Sequence, residues 1–538
     1  MLDLIIKNGQ IIDGSGRKSF VSDIGIKGDR IYIISPRINL ETRECIDARG
    51  YVVCPGFIDI HSHSDFTLLQ NPNGESKVRQ GITTELVGNC GFTAAPVNPA
   101  HFDDLMYYLV NTVILSDDRK KSWKWSTQAD FVEQIGEKGS AMNIASLVGH
   151  GTIRIAVMGF EKRDPSAGEL QKMLHMLQAE MDRGLFGMST GLAYEPGSFA
   201  TTRELVEMSR LIKDFGGIYA THMKSEGKYL LECISQAIEI ARMSGVSVEI
   251  SHFKAEGPGN WGKVAEGLKL IDEARKDGLE VGFDQYPYTA FGSGLLDLVP
   301  PWVRQQGPGK MIELLQNQDY RARAIHDMME PSDIWENPME GNTWDKVVIA
   351  SVGTDKNKNC EGKDIGQISQ EMGCSPYETV MRLLVEERAS VKMILFGMCE
   401  QDLETVMKHP NTIFCTDGRA VAPYGELARG KIHPRYYGTY PRILGRYVRQ
   451  KNIIPLEEAI KKMTYLPAQK LKLKDRGLIQ KGYFADITIF DRNEIIDLAT
   501  FREPHRYPLG IKHVIVNGKL VVSGGEHTGK LPGRILRR

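Results

Sequence analysis

His61 and His63 stand one residue apart in the segment PGFIDIHSHSD, at the end of a short apolar run. Read as a strand, its two-residue period turns both imidazoles to one face. Two imidazoles on one face at a strand terminus are part of what a metal ion needs. Other groups with the same chemistry follow other apolar runs: Cys90 in VGNCG, His150 in VGHG, His222 in YATH, His252 in EISH and Asp417 in FCTD. Thiolate, imidazole and carboxylate together suit a first-row divalent metal, zinc first among them. Singly, each has a plainer explanation. A lone histidine after a strand is usually a polar loop residue, a lone cysteine a small buried filler, and TDG is also turn chemistry. Coincidence favours the metal, provided one fold brings residues as far apart as His61 and Asp417 to one place. His150 is left over, with a substrate contact and the satisfaction of a backbone group equally open to it.

The elements that would carry these residues repeat along the chain. Eight strand-like runs occupy 57–63, 83–88, 143–150, 186–190, 217–222, 246–252, 279–286 and 412–417. Helical patterns lie between them, such as SAGELQKMLHMLQAEMDRG and LLECISQAIEIARMSG, each ending at a glycine in a C-cap position. Alternating strands and helices in this number predict an α/β chain built on a (β/α)8 TIM-like barrel, whose C-terminal strand ends converge on one site. Five of the eight strand ends then supply a possible ligand. The gap before the eighth strand is too long for one crossover. Its residues from about 288 to 345 are rich in Pro, Gly and Trp and predict an inserted subdomain near the barrel mouth, with DKVVIASV as a local strand added to it. Both chain ends share a texture of short strands and tight turns, which predicts a small β-sandwich domain built from both termini. The expected division is 1–54 and 476–538 for that domain and 55–475 for the catalytic barrel.

Composition narrows the partners. With 67 basic and 68 acidic residues the charge is balanced, so nothing recommends nucleic acid or an anionic membrane surface. No apolar run approaches the length of a membrane span. The opening MLDLIIKNGQIIDGSG lacks the basic and long apolar regions of a signal peptide. The eight cysteines are scattered with no CxxC pair, as free thiols in a reducing compartment would be. A cytoplasmic enzyme acting on a small molecule is the expectation.

Longer stretches carry a resemblance. The β segments at both ends, PGFIDIHSHSD, the histidines of strands five and six and the aspartate of strand eight resemble the amidohydrolase superfamily. GITTELVGNCGFTAAP, VGHGTIR, GMSTGLAYEPG, THMKSEG, EISHFKAEG, FCTDG and HPRYYGTYPR resemble, over nearly the whole chain, the N-acyl-D-amino-acid deacylases (D-aminoacylases) within it. The resemblance implies hydrolysis of N-acyl-D-amino acids, with a cysteine in place of the carboxylated lysine of many relatives. It implies one tightly bound zinc on Cys90, His222 and His252, and a second, weaker position at His61, His63 and Asp417. Zinc would meet the resistance of an amide to neutral water by lowering a water pKa toward ~7 and polarising the carbonyl. Asp417 would act as general base and then general acid. The product carboxylate calls for a cation, and Arg435 in HPRYYGTYPR offers a planar fork. The resemblance adds Lys254, Tyr286 and Ser293 to that carboxylate site. Two rivals remain at this stage. One is a cyclic-amide hydrolase on the same scaffold, which relies on a carboxylated lysine where Cys90 stands. The other is a non-enzymatic relative, which would have lost ligands that are all present here.

Overall fold

The computed structural model describes residues 1–109, 123–305, 308–330 and 335–538. Eight short strands form its centre: β1 Phe57–Asp59, β2 Ile82–Val87, β3 Asn143–Ser146 continued by Val148–Gly149, β4 Gly187–Gly191, β5 Ile218–His222, β6 Ser247–Ile250, β7 Val281–Gln285 and β8 Thr412–Phe414. Each pairs in parallel with the next, from β1 through β3 and from the second part of β3 through β8. The circle closes through a parallel bridge between Ser62 and Gly418, just past β1 and β8. β2, β4, β6 and β7 are buried along their whole length, as strands covered on both faces by a parallel barrel must be.

The closing seam is held from inside. Lys77 is fully buried, and its Nζ donates to Asp59 Oδ2 of β1 at 2.9 Å, Thr416 Oγ1 at 2.7 Å and the Gly418 carbonyl at 3.1 Å. Glu85 Oε1 of β2 lies 2.7 Å from the same ammonium. Asp59 in turn accepts from the backbone N–H of Thr416 at 2.9 Å. One charge thus ties the first, second and last strands together. Burial disfavours the ammonium, but Asp59 and Glu85 outweigh it and raise its pKa.

Both ends of the chain contribute strands to one nine-stranded sheet. Val52–Pro55 pairs antiparallel with Ile487–Phe490 and in parallel with Leu2–Ile11, stitching the two ends of the chain together. The last residues leave that sheet. The N–H of Ile144 in β3 donates to the Arg534 carbonyl at 2.9 Å, and that of Leu536 to Ile144 at 2.8 Å, so the tail runs against the barrel. Gly533 permits this approach, because a Cβ there would lie 2.0 Å from the Met142 carbonyl.

Between β7 and β8 the chain builds a three-stranded antiparallel sheet in the order Phe291–Gly294, Val391–Leu395, Val347–Val352. Helices including Gln318–Met329, Ile365–Met372 and Pro376–Glu386 pack on it around a core running from Leu295 to Leu395. The insertion therefore extends beyond residue 345. Its second half is made of ordinary amphipathic helices, which composition does not distinguish from crossover helices. Residues 306–307 and 331–334 of the expected insertion lie outside the described residues.

The Lys77 cluster generates a stability prediction. Lys77→Met leaves Asp59 and Glu85 as uncompensated buried charges, so the protein should lose about 3–5 kcal/mol by chemical denaturation. A loss below about 1 kcal/mol would show that the seam does not depend on this ammonium.

Candidate metal and substrate site

The C-terminal strand ends of the barrel open into a cavity of about 1840 Å³, roofed by the insertion and lined by His63, Cys90, His222, His252, Asp417 and Arg435 among others. The seam sets the register of its first group. Asp417 N–H donates to the His61 carbonyl and His63 N–H to the Gly418 carbonyl, each at 2.9 Å. His63 Nε2 then lies 3.2 Å and His61 Nε2 3.5 Å from Asp417 Oδ1.

Cys90 enters between strand ends stripped of side chains. A Cβ on Gly191, at the end of β4, would sit 2.3 Å from the Cys90 carbonyl, and one on Gly149 equally close to that of Gly91. The glycines of VGHG and STGL thus let the VGNCG loop cross the barrel mouth. Cys90 Sγ comes to 3.3 Å from His61 Nε2 and 3.6 Å from His252 Nε2. Cys90, His252 and Asp417 all adopt positive φ, at 54°, 37° and 44°. For residues with a Cβ this conformation is strained, and such strain collects at functional sites.

Among the described residues three overlapping donor sets result, His61–His63–Cys90, Cys90–His222–His252 and His61–Asp284–Cys415, each with its ligand atoms within 4.8 Å of one another; the first two reach the cavity. A tetrahedral zinc with a sulfur at about 2.3 Å and nitrogens at about 2.0–2.1 Å needs an S···N separation of about 3.5 Å. The Cys90–His252 distance of 3.6 Å matches it. His222 Nδ1 is buried with no hydrogen-bond partner among the described residues, an atom the protein itself leaves unused. The residues fit the ion.

For two of the histidines the electrostatics agree with this use. Burial, reinforced by neighbouring cations, holds His222 and His252 well below the usual histidine range, in the neutral form that ligates. Burial raises the Cys90 thiol, partly opposed by His61. Asp417 shows the reverse balance. Burial works against its charge, but Arg435 and His61 prevail and hold its carboxyl well below the ordinary carboxylate range. It is an ionised base lining the cavity.

Arg435 begins the helix Arg435–Arg442. His433 fixes its backbone, Nδ1 accepting from Arg435 N–H at 3.0 Å while Nε2 donates to the Ala290 carbonyl at 2.9 Å. The buried guanidinium stacks 4.8 Å above the Tyr286 ring, with Nη1 3.1 Å from Asp417 Oδ2. Arg435 Nε and the Tyr286 hydroxyl form no hydrogen bond among the described residues. Buried donors without acceptors are costly, and an anionic ligand would satisfy them. Lys254 and Ser293 also line the cavity, Lys254 paired with Glu226 at 2.6 Å and Ser293 bonded to Asp297.

His150 lies elsewhere. It is fully buried, does not line the cavity, and its Nε2 lies 2.8 Å from Glu204, which also pairs with Arg154. It ties the helix after β3 to the helix after β4. Sequence reasoning passed over three residues that hold the site. Asp284 accepts from the His252 backbone N–H at 2.7 Å and approaches His61 Nδ1 to 3.3 Å. Its signal was a carboxylate inside the apolar run LEVGFDQY. Glu226 and His433 stood within THMKSEG and HPRYYGTYPR, unassigned.

The amidohydrolase family model matches residues 44–291 and 376–522. A D-aminoacylase of Alcaligenes xylosoxydans xylosoxydans is 34% identical over 541 residues, covering 100% of this chain and 98% of the relative. An N-acyl-D-glutamate deacylase of the same organism is 32% identical, with 100% and 97% covered. The crystal structure of N-acyl-D-glutamate deacylase from Bordetella bronchiseptica, complexed with zinc and a phosphonate mimic of the tetrahedral intermediate, superimposes with a TM-score of 0.83 at 30% identity and full coverage of both chains.

The family resemblance, which implies a tight zinc on Cys90, His222 and His252, predicts how zinc responds to substitution. Cys90→Ala, His222→Ala and His252→Ala should each strip most of the zinc, because a site with three protein ligands tolerates the loss of one poorly. His61→Ala or His63→Ala should leave the tight zinc largely in place. Elemental analysis decides; a Cys90→Ala protein with its full zinc would rule out the thiolate as a ligand.

Proposed function

The chain belongs to the amidohydrolase family, within its D-aminoacylase group, and from that premise we propose that it hydrolyses N-acyl-D-amino acids to a carboxylate and the free D-amino acid. The observation that carries this reading is the position of Asp417. Its Oδ1 faces His61 and His63, while its Oδ2 faces the buried Arg435. One carboxylate thus stands between a set of metal donors and a cation suited to a substrate carboxylate.

Cys90, His222 and His252 would hold zinc tightly, and His61, His63 and Asp417 would form a weaker second position. Zinc bound there supplies an electrophile for the amide carbonyl and lowers the pKa of water. The chain's own residues do the rest. Asp417, ionised in the cavity, takes the proton of the attacking water and returns it to the departing amine nitrogen. Arg435, with Lys254, Tyr286 and Ser293, binds the α-carboxylate and brings the scissile amide to Asp417. The unused donors of Arg435 and Tyr286 support that role. Cyclic-amide hydrolysis has less support, since Cys90 rather than a lysine lies between His61 and His252.

Two predictions follow from these roles. Asp417→Asn keeps the shape of the side chain but cannot accept the proton, so kcat should fall at least ~10²-fold while the tight zinc stays. A near-normal kcat would place proton transfer on another group. The second concerns handedness. Fixing the scissile carbonyl and the α-carboxylate exchanges side chain and hydrogen between enantiomers, so one hand clashes or loses the carboxylate contact. A difference of a few kcal/mol is discrimination on the order of 10²–10⁴ in kcat/KM. The geometry demands one hand without saying which; the D-aminoacylase relatives point to D, so assays of paired N-acetyl-D- and N-acetyl-L-amino acids should show a preference for D. Arg435→Ala should lose far more activity on free carboxylates than on the corresponding amides. Equal rates on both hands would overturn the D-aminoacylase reading and leave the fold and metal site intact.

A further inference from the structure

Glu226 lies in the loop after β5, buried at 7% exposure and facing the cavity. Its carboxylate touches two functional groups at once. Oε1 lies 2.8 Å from His252 Nδ1, and Oε2 lies 2.6 Å from Lys254 Nζ. The other nitrogen of His252, Nε2, is the one that faces Cys90. An ionised carboxylate only accepts hydrogen bonds, so the Nδ1 contact places the ring proton on Nδ1 and leaves the Nε2 lone pair toward Cys90.

Lys254 presents the opposite demand. Its Nζ stands 3.0 Å from the same His252 Nδ1. An ammonium only donates, so an unopposed Lys254 would turn Nδ1 into an acceptor and drive the ring proton to Nε2. That tautomer cannot ligate through Nε2. In the structure two of the three ammonium donors are drawn to Glu226 Oε2 at 2.6 Å and to the His252 carbonyl at 3.0 Å. The backbone of Glu226 is anchored for this task, its carbonyl accepting from Glu256 N–H at 2.7 Å.

We infer that Glu226 is a positioning residue that keeps a substrate-binding ammonium from disabling a metal ligand. It sets the His252 tautomer and holds Lys254 in the cavity with the same carboxylate. The inference rests on the proposed roles of His252 and Lys254, and it explains how a cation can stand within hydrogen-bond distance of a metal-binding imidazole.

The test reads zinc affinity by chelator competition, independently of turnover, on the full-length protein, with thermal melts to show that each variant is folded. Glu226→Ala should weaken zinc 10–100-fold, the usual cost of removing a carboxylate behind a ligating histidine. Glu226→Gln still offers an acceptor to Nδ1–H and should stay within about threefold of wild type in zinc affinity. Because it no longer balances Lys254, it should raise KM for an N-acetyl-D-amino acid. The decisive variant is Glu226→Ala combined with Lys254→Met. Removing the ammonium removes the force that misplaces the proton, so this protein should bind zinc at least about fivefold more tightly than Glu226→Ala alone, a non-additivity expected of residues sharing one contact. Nitrogen-15 shifts of the metal-free wild type should show the His252 proton on Nδ1. Wild-type zinc affinity in Glu226→Ala, or a double variant no better than Glu226→Ala, would overturn the inference while leaving the proposed function standing. A wild-type protein without tight zinc would overturn both.

Discussion

A single buried ammonium sits where the first barrel strand meets the last. Burying a charge costs several kcal/mol unless it is closely paired, and Lys77 is paired on all sides by Asp59, Glu85, Thr416 and the Gly418 carbonyl. Asp59, Thr416 and Gly418 belong to the segments that carry His61, His63 and Asp417, and Glu85 to the strand that leads to Cys90. The same knot that offsets the desolvation of Lys77 therefore sets the register in which two imidazoles face one carboxylate. The backbone exchanges between His61 and Asp417 and between His63 and Gly418 follow directly from that closure. Had the barrel stayed open at this seam, Asp417 and the HxH pair would not share a site.

Strain is the counterpart of this rigidity. Cys90, His252 and Asp417 each turn through positive φ at a strand end. Each such residue costs on the order of 1–3 kcal/mol and persists only when its surroundings over-determine it. Those surroundings are identifiable: the side-chain-free strand ends at Gly149 and Gly191 for Cys90, the Asp284 carboxylate on the backbone of His252, and the seam for Asp417. The functional groups are aimed by the barrel's own framework rather than by flexible loops.

Much of this was legible in the sequence because barrel topology obeys a simple rule. Residues at C-terminal strand ends meet, so a histidine, cysteine or aspartate after each apolar run could be placed together without coordinates. A sheet shared by both chain ends was legible from turn chemistry alone, and it does join Val52–Pro55 to Ile487–Phe490. What sequence did not disclose depends on tertiary contact. Lys77 lies in a four-residue helix with no motif, yet it organises the seam. Glu226 and Asp284 stood in no recognised pattern of their own, and only distance reveals the imidazoles they contact. His150 shared the chemistry and the strand-end position of the ligands, but its ring turns to Glu204. The insertion's extent to Leu395 was hidden because its later helices have the periodicity of barrel helices.

The proposed hydrolysis is organised around Cys90, whose sulfur stands among the candidate metal donors where many barrel hydrolases use a carboxylated lysine. X-ray absorption at the zinc edge, on protein loaded with one zinc per chain, tests this most directly. The account predicts one sulfur at about 2.3 Å with the remaining shell of nitrogen and oxygen at about 2.0–2.2 Å. A shell of nitrogen and oxygen with no sulfur would contradict it.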